Sequence, residues 1–202
     1  IMVASGLTGE AIYVKPTRLA LHFVFALGLL CYTFWFALEL LVPAVKKIAD
    51  KPARKWTIIS IAVLVLQLVY GALMAGHRAA TAAPTWPDIN GKVIPPGMMT
   101  NNEGLLNLVD NKITVHFIHR GLAYLLLMLI GILTYKLWSI KSSSLLRKTF
   151  FWPMLLVILQ AVLGVLTVLF SPGIIPNRWG LFEWMAQLHQ LVRLRGGAAP
   201  GA

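Results

Sequence analysis

The apolar residues of this chain stand in long blocks separated by short polar stretches. Four blocks are long enough to cross roughly 30 Å of hydrocarbon at about 1.5 Å per residue. They cover residues 17–42, 56–76, 113–138 and 149–170, and a fifth block, from about residue 181, is incomplete. Because an apolar segment in lipid must satisfy its own backbone hydrogen bonds, all of these blocks are predicted to be α-helices.

The block pattern therefore predicts an all-α, polytopic membrane helix bundle with four full transmembrane helices and a truncated fifth. Composition agrees with this class, because 58% of the residues are hydrophobic and 12% are charged. A typical soluble domain carries about 25% charged residues. The lipid bilayer is thus the expected environment of the chain, and association with further copies of the chain stays open.

The formal net charge of +11 is distributed in a way that excludes nucleic acid as a partner. The basic residues cluster at the ends of the apolar blocks instead of covering one face, which is typical of membrane topology signals. The short basic loops 43–55 and 139–148 are predicted to face the cytoplasm, or the matrix of a mitochondrion. Segments 1–16, 77–112 and 171–180 then lie on the outer side.

Both ends of the chain favour a piece of a longer protein. The opening residues, "IMVASGLTG", are typical of the end of a preceding apolar span. The last apolar run stops after Val192, short of the roughly 20 residues that a span needs. Residues 193–202 are rich in Gly, Ala and Pro, and we expect them to be a non-native or disordered tail.

Two spans carry the same short pattern near their middle. Gln67 and Gly71 in "LQLVYGALMAG", and Gln160 and Gly164 in "LQAVLGVLTVLFSPG", each lie one turn apart on a single helix face. Small residues allow close helix approach, and a glutamine can bond across an interface, so plain helix packing explains the pattern. The alternative is that the pattern lines a buried, flat ligand.

Three histidines, His22, His119 and His189, stand at similar depth near the predicted outer end of three spans. A single membrane histidine is typical of an interhelical hydrogen bond, but three at one depth favour metal ligation. Zinc is disfavoured because Cys31 lies more than two turns deeper than His22 and carboxylates are scarce. Haem iron needs only one or two axial ligands inside an apolar slot, and the spans supply such a slot.

The neighbours of His119 fit a haem as well. Arg120 could pair with a haem propionate at the wet edge of the membrane, although a snorkelling side chain is the alternative. His116 shares the helix face of His119 one turn nearer the surface, and it could order a propionate or a water molecule.

Several segments resemble a known family. The loop and span "GALMAGHRAATAAPTWPDINGKVIPPGM…NKITVHFIHRGLAYLL" is similar to the haem A synthases of the Cox15/CtaA family. "MVASGLTG…RLALHF" resembles the junction between the third and fourth spans of that family, and "LHQL" resembles the head of the eighth. The resemblance covers residues 1 to about 192. His116, where many relatives have Gln, and His77, where an apolar residue is usual, depart from the pattern.

The resemblance implies an eight-helix, pseudo-symmetric fold of two four-helix halves. Residues 1–55 would end the N-terminal half, which takes the substrate haem, and residues 56–192 would form the C-terminal half, which holds a haem b cofactor. His119 and His189 would be the axial pair of that haem, with Arg120 and His116 beside it. His22 would be one iron ligand of the substrate haem. Its partner, the catalytic glutamate and the cysteine pair of some members would precede residue 1.

The implied activity is oxidation of the C8 methyl group of haem O to a formyl group, which makes haem A for cytochrome oxidase. Haem O synthase would be the donor partner, and the location would be a bacterial cytoplasmic or mitochondrial inner membrane. We expect the chain by itself to be inactive, because half of the substrate site would be missing. The alternative function is a b-type, di-haem electron-transfer protein without oxidative chemistry, because two histidine ligands per iron serve both.

Overall fold

Helices form nearly all of the regular structure. The computed structural model describes residues 15–44, 47, 49–100, 104–140, 144–175 and 178–190. Its α-helices are α1 (Pro16–Leu41), α2 (Lys51–His77), α3 (Asn107–Asp110), α4 (Lys112–Trp138), α5 (Ser144–Thr149), α6 (Trp152–Phe170) and α7 (Leu181–Gln190). Short 3₁₀ turns stand at Ala79–Ala82, Gly104–Leu106 and Ser171–Gly173.

Four helical stretches are long and apolar enough to cross a membrane. They are Pro16–Leu41, Lys51–His77, Lys112–Trp138 and Leu145–Gly173. The predicted all-α membrane bundle with four full spans is thereby confirmed. The predicted fifth span begins as the ten-residue helix α7. Residues 1–14, read as the end of a preceding span, and the predicted tail at 193–202 lie outside the described residues.

Helix α2 starts earlier than the hydrophobic pattern indicated. It begins at Lys51 instead of residue 56, because the carboxylate of Asp50 accepts a hydrogen bond from the backbone N–H of Ala53 at 2.7 Å. Pro52, in the first turn, needs no hydrogen-bond acceptor for its nitrogen. Lys51, Arg54 and Lys55, which were assigned to a loop, thus lie at the start of α2, and the predicted domain boundary after residue 55 falls inside this helix.

The fourth predicted span is divided near its start. Helix α5 ends at Thr149 and α6 begins at Trp152, with Pro153 in the first turn of α6. Proline has no N–H to continue a preceding helix, so the chain interrupts one helix and starts the next. The apolar pattern runs across this interruption, which is why the sequence predicted a single helix there.

Helix α4 is central in the bundle, because it packs against both α2 and α6. Helix α1 packs against α2, and α7 packs against α6. Ala20, Leu73 and Val115 form a small buried cluster where α1, α2 and α4 meet. A Cβ atom on Gly76 would lie 2.7 Å from Cβ of Pro16, so glycine is required where α1 approaches α2. Most other large apolar side chains are exposed, as lipid-facing helices require.

Candidate functional site: a paired-histidine centre

Two of the three histidines singled out in the sequence meet inside the bundle. The ring centroids of His119, on α4, and His189, on α7, are 6.4 Å apart, and the ring planes lie at 85° to each other. The residues are far apart in sequence, so only the packing of α4 on α6 and of α7 on α6 brings them together. We call this arrangement the histidine pair.

The ring of His119 lies against α2. A Cβ atom on Gly71 would stand 3.3 Å from Cε1 of His119, so the absence of a side chain at residue 71 creates the space that the ring occupies. One turn earlier, the side-chain amide nitrogen of Gln67 lies 3.4 Å from Nε2 of His119. The pattern Gln-x-x-x-Gly on α2 is therefore the surface on which this histidine rests.

The ring of His189 lies against α6 in the corresponding way. A Cβ atom on Gly164 would stand 2.9 Å from Cε1 of His189. Nδ1 of His189 is 3.0 Å from the backbone carbonyl oxygen of Gln160, which can only accept, so Nδ1 carries the proton. In the neutral imidazole, Nε2 then has the free lone pair, the form in which histidine binds metals.

Buried polar atoms without partners surround the pair. Among the described residues, the side-chain oxygens of Gln67 and Gln160 and Nδ1 of His119 are buried and make no hydrogen bond. A buried polar group without a partner is costly, and such groups are rare in folded proteins. Because these three atoms belong to His119 and to the two glutamines of the repeated pattern, they favour the lining interpretation of that pattern over helix packing alone.

The donor set fits an iron porphyrin. A bond between an imidazole nitrogen and a metal ion is about 2 Å long, so a centroid separation of 6.4 Å leaves room for one metal ion between two rings. Haem iron needs no more than two axial ligands. Within the described part of the chain, no group of three or more His, Cys, Asp or Glu side chains is arranged to hold a metal ion.

The other residues predicted to bind the haem, His116 and Arg120, lie on the same helix as His119. His116 is fully buried, and its Nε2 accepts a hydrogen bond from Nε of Arg120 at 3.0 Å. The Arg120 guanidinium also donates to three backbone carbonyls, those of Ala83, Thr85 and Asp88, at 2.7–3.1 Å. The sequence predicted a propionate partner at Arg120, and the contacts with the loop were not foreseen.

His22 does not join the histidine pair. It lies near the start of α1 with an exposed side chain, and α1 packs against α2. Its prediction as a ligand of a different haem therefore remains a prediction. The remaining histidine, His77, ends α2, and its Nε2 donates to the backbone carbonyl of Val109 at 2.7 Å, which joins α2 to α3.

The loop that Arg120 contacts is organised by its own side chains. Asp88 accepts hydrogen bonds from the Thr85 hydroxyl at 2.6 Å and from the Gly91 backbone N–H at 2.9 Å. The bond from Thr85 and then the bond from Gly91 make the largest contributions to holding the pKa of the Asp88 carboxyl below its ordinary value. The side chain of Asn90 donates to the Ala82 carbonyl at 2.9 Å. The motif "TWPDING" is thus a folded element, and it supplies two of the three carbonyls that meet Arg120, those of Thr85 and Asp88.

One further cap was missed in the sequence. The side chain of Asn111 accepts from the backbone N–H groups of Ile113 and Thr114 at 2.9 and 3.0 Å, and it starts α4. It also donates to the Gly97 carbonyl at 2.9 Å, so the same residue attaches the preceding loop. Asparagine directly before an apolar block is a recognised helix-start signal, and it could have located this end of the helix.

Fold and site together define a multi-pass α-helical membrane protein with a paired-histidine centre between its helices. The chain belongs to the COX15-CtaA family, described as a cytochrome oxidase assembly protein, whose model matches residues 1–193. The resemblance read from the sequence motifs is therefore confirmed.

Proteins named haem A synthase are similar to this chain along most of its length. The protein from Flavobacterium psychrophilum is 33% identical over 195 residues, which is 95% of this chain and 54% of that protein. The protein from Wolbachia pipientis wMel is 35% identical, over 83% of this chain and 46% of that protein. The chain thus spans about half the length of these relatives. No solved structure matches it significantly.

Proposed function

We propose that this chain is the part of a haem A synthase that holds a haem b cofactor between His119 and His189. The complete reaction in this proposal is oxidation of the C8 methyl group of haem O to a formyl group, which makes haem A. Similarity to proteins named haem A synthase supports the general activity. The observation that carries the cofactor assignment is the histidine pair, with its centroid separation of 6.4 Å.

In this proposal the chain positions two neutral imidazoles and shields them from water. Gly71 and Gly164 make room for the rings, and the Gln160 carbonyl fixes the tautomer of His189. A haem bound there supplies a one-electron redox centre, whose potential depends on its axial ligands, hydrogen bonds and solvent exposure. The protein contributes ligation, orientation and an apolar surrounding for the cofactor.

The substrate side of the proposal involves His22. Its side chain is exposed on α1, and we propose that it binds the iron of haem O, delivered by haem O synthase. The basic loops between the spans support a cytoplasmic position for the opposite end of the bundle. On that basis we propose that the histidine pair lies near the outer face of the membrane.

An optical experiment tests the cofactor assignment. The chain is purified from membranes supplied with haem, and its absorption spectrum is recorded in the oxidised and reduced states. We expect a Soret band and sharp α and β bands typical of a haem with two histidine ligands. A chain that inserts and folds but shows no haem absorption would rule out the cofactor assignment.

A product experiment tests the reaction. Membranes containing the protein that carries this sequence are incubated with haem O, and the extracted haems are separated by chromatography and mass spectrometry. We expect haem A, which has a formyl group in place of the methyl group. A protein that binds haem but yields no formyl product would instead support the alternative, a b-type electron-transfer protein.

A further inference from the structure

The outer contacts of Arg120 connect one side chain to a whole loop. Its Nη2 donates to the carbonyls of Ala83 and Thr85 at 3.1 and 2.7 Å, and its Nη1 donates to that of Asp88 at 2.7 Å. Together with the bond from Nε to His116, these contacts use four of the five N–H groups of the guanidinium. The Arg120 guanidinium therefore donates most of its hydrogen bonds to groups of the protein itself.

The loop lies across several helices. We define the cap segment as residues 79–92. Its 3₁₀ turn, Ala79–Ala82, contacts α2, α4 and α6. The Ser171 hydroxyl at the end of α6 donates to the Val168 carbonyl at 2.7 Å and also lies 3.2 Å from the Ala80 carbonyl oxygen. Ala79, Ala83 and Ile89 of the cap segment are buried. The cap segment thus covers the end of the bundle that contains Arg120.

This end of the bundle leads to the histidine pair. Arg120 follows His119 directly in α4, and the fully buried His116 links Arg120 to the interior. Helices α2 and α6, which the cap segment contacts, carry the two glycines against which the histidine rings lie. The cap segment therefore contacts the helix that carries His119 and the two helices against which the histidine rings lie.

We propose that Arg120 is a positioning residue that clamps the cap segment across the ends of α2, α4 and α6 and thereby keeps water from the histidine pair. This inference rests on the proposed function in one respect, namely that the pair holds a haem. The clamp requires the planar fork of a guanidinium, because three carbonyls and one imidazole are contacted in different directions. A lysine would keep the positive charge and lose most of these contacts.

The test compares Arg120→Lys with the unchanged chain in lipid nanodiscs, by hydrogen exchange of the amides of residues 83–92. We expect exchange to become about tenfold faster or more in Arg120→Lys, because several bonds to the cap segment are lost. Exchange in α2 should stay within about twofold. Arg147→Lys, an exposed arginine of α5 at the other end of the bundle, is the matched control and should change nothing.

A second variant loosens the cap segment without touching Arg120. Asn90→Ala removes the bond from Asn90 to the Ala82 carbonyl and leaves every charge in place. In the haem-loaded chain, both Asn90→Ala and Arg120→Lys should shift the midpoint potential to more negative values, because water stabilises the more highly charged oxidised state. A role of Arg120 in stability alone would leave the potential unchanged.

The outcomes separate the clamp from other roles. If Arg120→Lys keeps the slow exchange and the potential of the unchanged chain, the clamp is wrong, and charge pairing with a propionate explains Arg120. If Arg120 variants do not fold, an unchanged potential in Asn90→Ala would overturn the proposal. If the unchanged chain binds no haem, the proposed function fails, while the exchange experiment on the haem-free chain still decides whether Arg120 holds the cap segment.

Discussion

The two halves of the histidine pair use one sequence pattern in two different ways. On α2 the Gln67 side chain contacts His119, whereas on α6 the backbone carbonyl of Gln160 accepts the proton of His189. The spacing also differs. A Cβ atom added to Gly164 would lie 2.9 Å from Cε1 of His189, whereas one added to Gly71 would lie 3.3 Å from Cε1 of His119. The tautomer of His189 is thus determined by the backbone, while His119 depends on a replaceable side chain.

This difference matters for tuning a bound metal. Partners of the distal nitrogen of a histidine ligand fix its orientation and basicity, and their loss typically changes metal affinity by about 10–100-fold. A backbone carbonyl cannot be removed by substitution, so the hydrogen bond of His189 to residue 160 is retained whatever side chain stands there. On the α2 side the Gln67 amide lies against Nε2 of His119 instead, and the buried Nδ1 of His119 has no partner within the described residues.

The largest expected effect comes from removing either histidine. His119→Ala and His189→Ala should each lower haem occupancy by about tenfold or more, because one axial ligand is lost. The reduced-minus-oxidised spectrum of purified chain measures this loss. His22→Ala is the control and should keep this haem. Full occupancy in both variants would show that the axial assignment is wrong.

A smaller effect should distinguish the two glycines. Gly164→Ala places a methyl group 2.9 Å from a ring that is held by the Gln160 carbonyl, so the ring must shift. Gly71→Ala, at 3.3 Å, requires a movement of a few tenths of an ångström. We expect Gly164→Ala to lower haem occupancy by several-fold and Gly71→Ala by less than about twofold.

Gly131→Ala is the matched control for both glycines. It lies on the same class of membrane helix, and a Cβ atom there meets nothing within 4 Å. Its haem occupancy should equal that of the unchanged chain. Equal losses of haem occupancy in Gly71→Ala and Gly164→Ala would show that the difference in glycine–histidine distance has no effect on haem binding.

The two glutamines should respond unequally to replacement by leucine. Gln67→Leu removes the side chain that contacts His119, whereas Gln160→Leu leaves the backbone bond to His189 intact. We expect the electron paramagnetic resonance signal of the oxidised haem to change in Gln67→Leu and to stay nearly constant in Gln160→Leu. A larger change in Gln160→Leu would contradict the asymmetry between the two sides.

The smallest expected effect concerns pH and the cap segment, whose 3₁₀ turn contacts α2, α4 and α6. The hydrogen bonds from Thr85 and Gly91 lower the pKa of Asp88 in the folded chain. In an unfolded chain the pKa of an aspartate is about 3.9, so the ionised carboxylate stabilises the folded cap segment above that pH. The stabilisation is lost as the pH falls through the lowered folded pKa.

Fluorescence of Trp86 reports on this titration, because its indole N–H donates to the Tyr124 hydroxyl at 3.1 Å. The signal is the difference between the unchanged chain and Trp86→Phe, recorded from pH 6 downward. We expect a change only below about pH 4. Asp88→Asn should lack this change, and an identical pH profile in Asp88→Asn would exclude Asp88 as its source.

Much of the fold could be predicted from the sequence. Long apolar blocks have few solutions in lipid, so the four spans follow from block length. The errors lie at helix ends, as at Lys51, where a cap by Asp50 and a proline extend the helix into a basic stretch. The candidate site was predictable as a set of residues, because histidines in apolar helices are rare and costly.

The contacts within the site were less predictable. The preference of Arg120 for three backbone carbonyls leaves no mark in the residue types, since any residue presents a carbonyl. The unequal use of Gln67 and Gln160 was hidden for the same reason. One of the two bonds to histidine comes from a side chain and the other from the main chain, although the residues are identical.

By itself, the sequence determined the membrane class, the number of full spans, the family and the histidines of the candidate site. These depend on hydrophobic block length and on residue identity, both of which are local properties. Only the tertiary structure decided that His119 meets His189, that each ring rests on a glycine, and that Arg120 donates hydrogen bonds to carbonyls of the cap segment. Those features depend on how helices distant in sequence pack together and where their backbone carbonyls then lie.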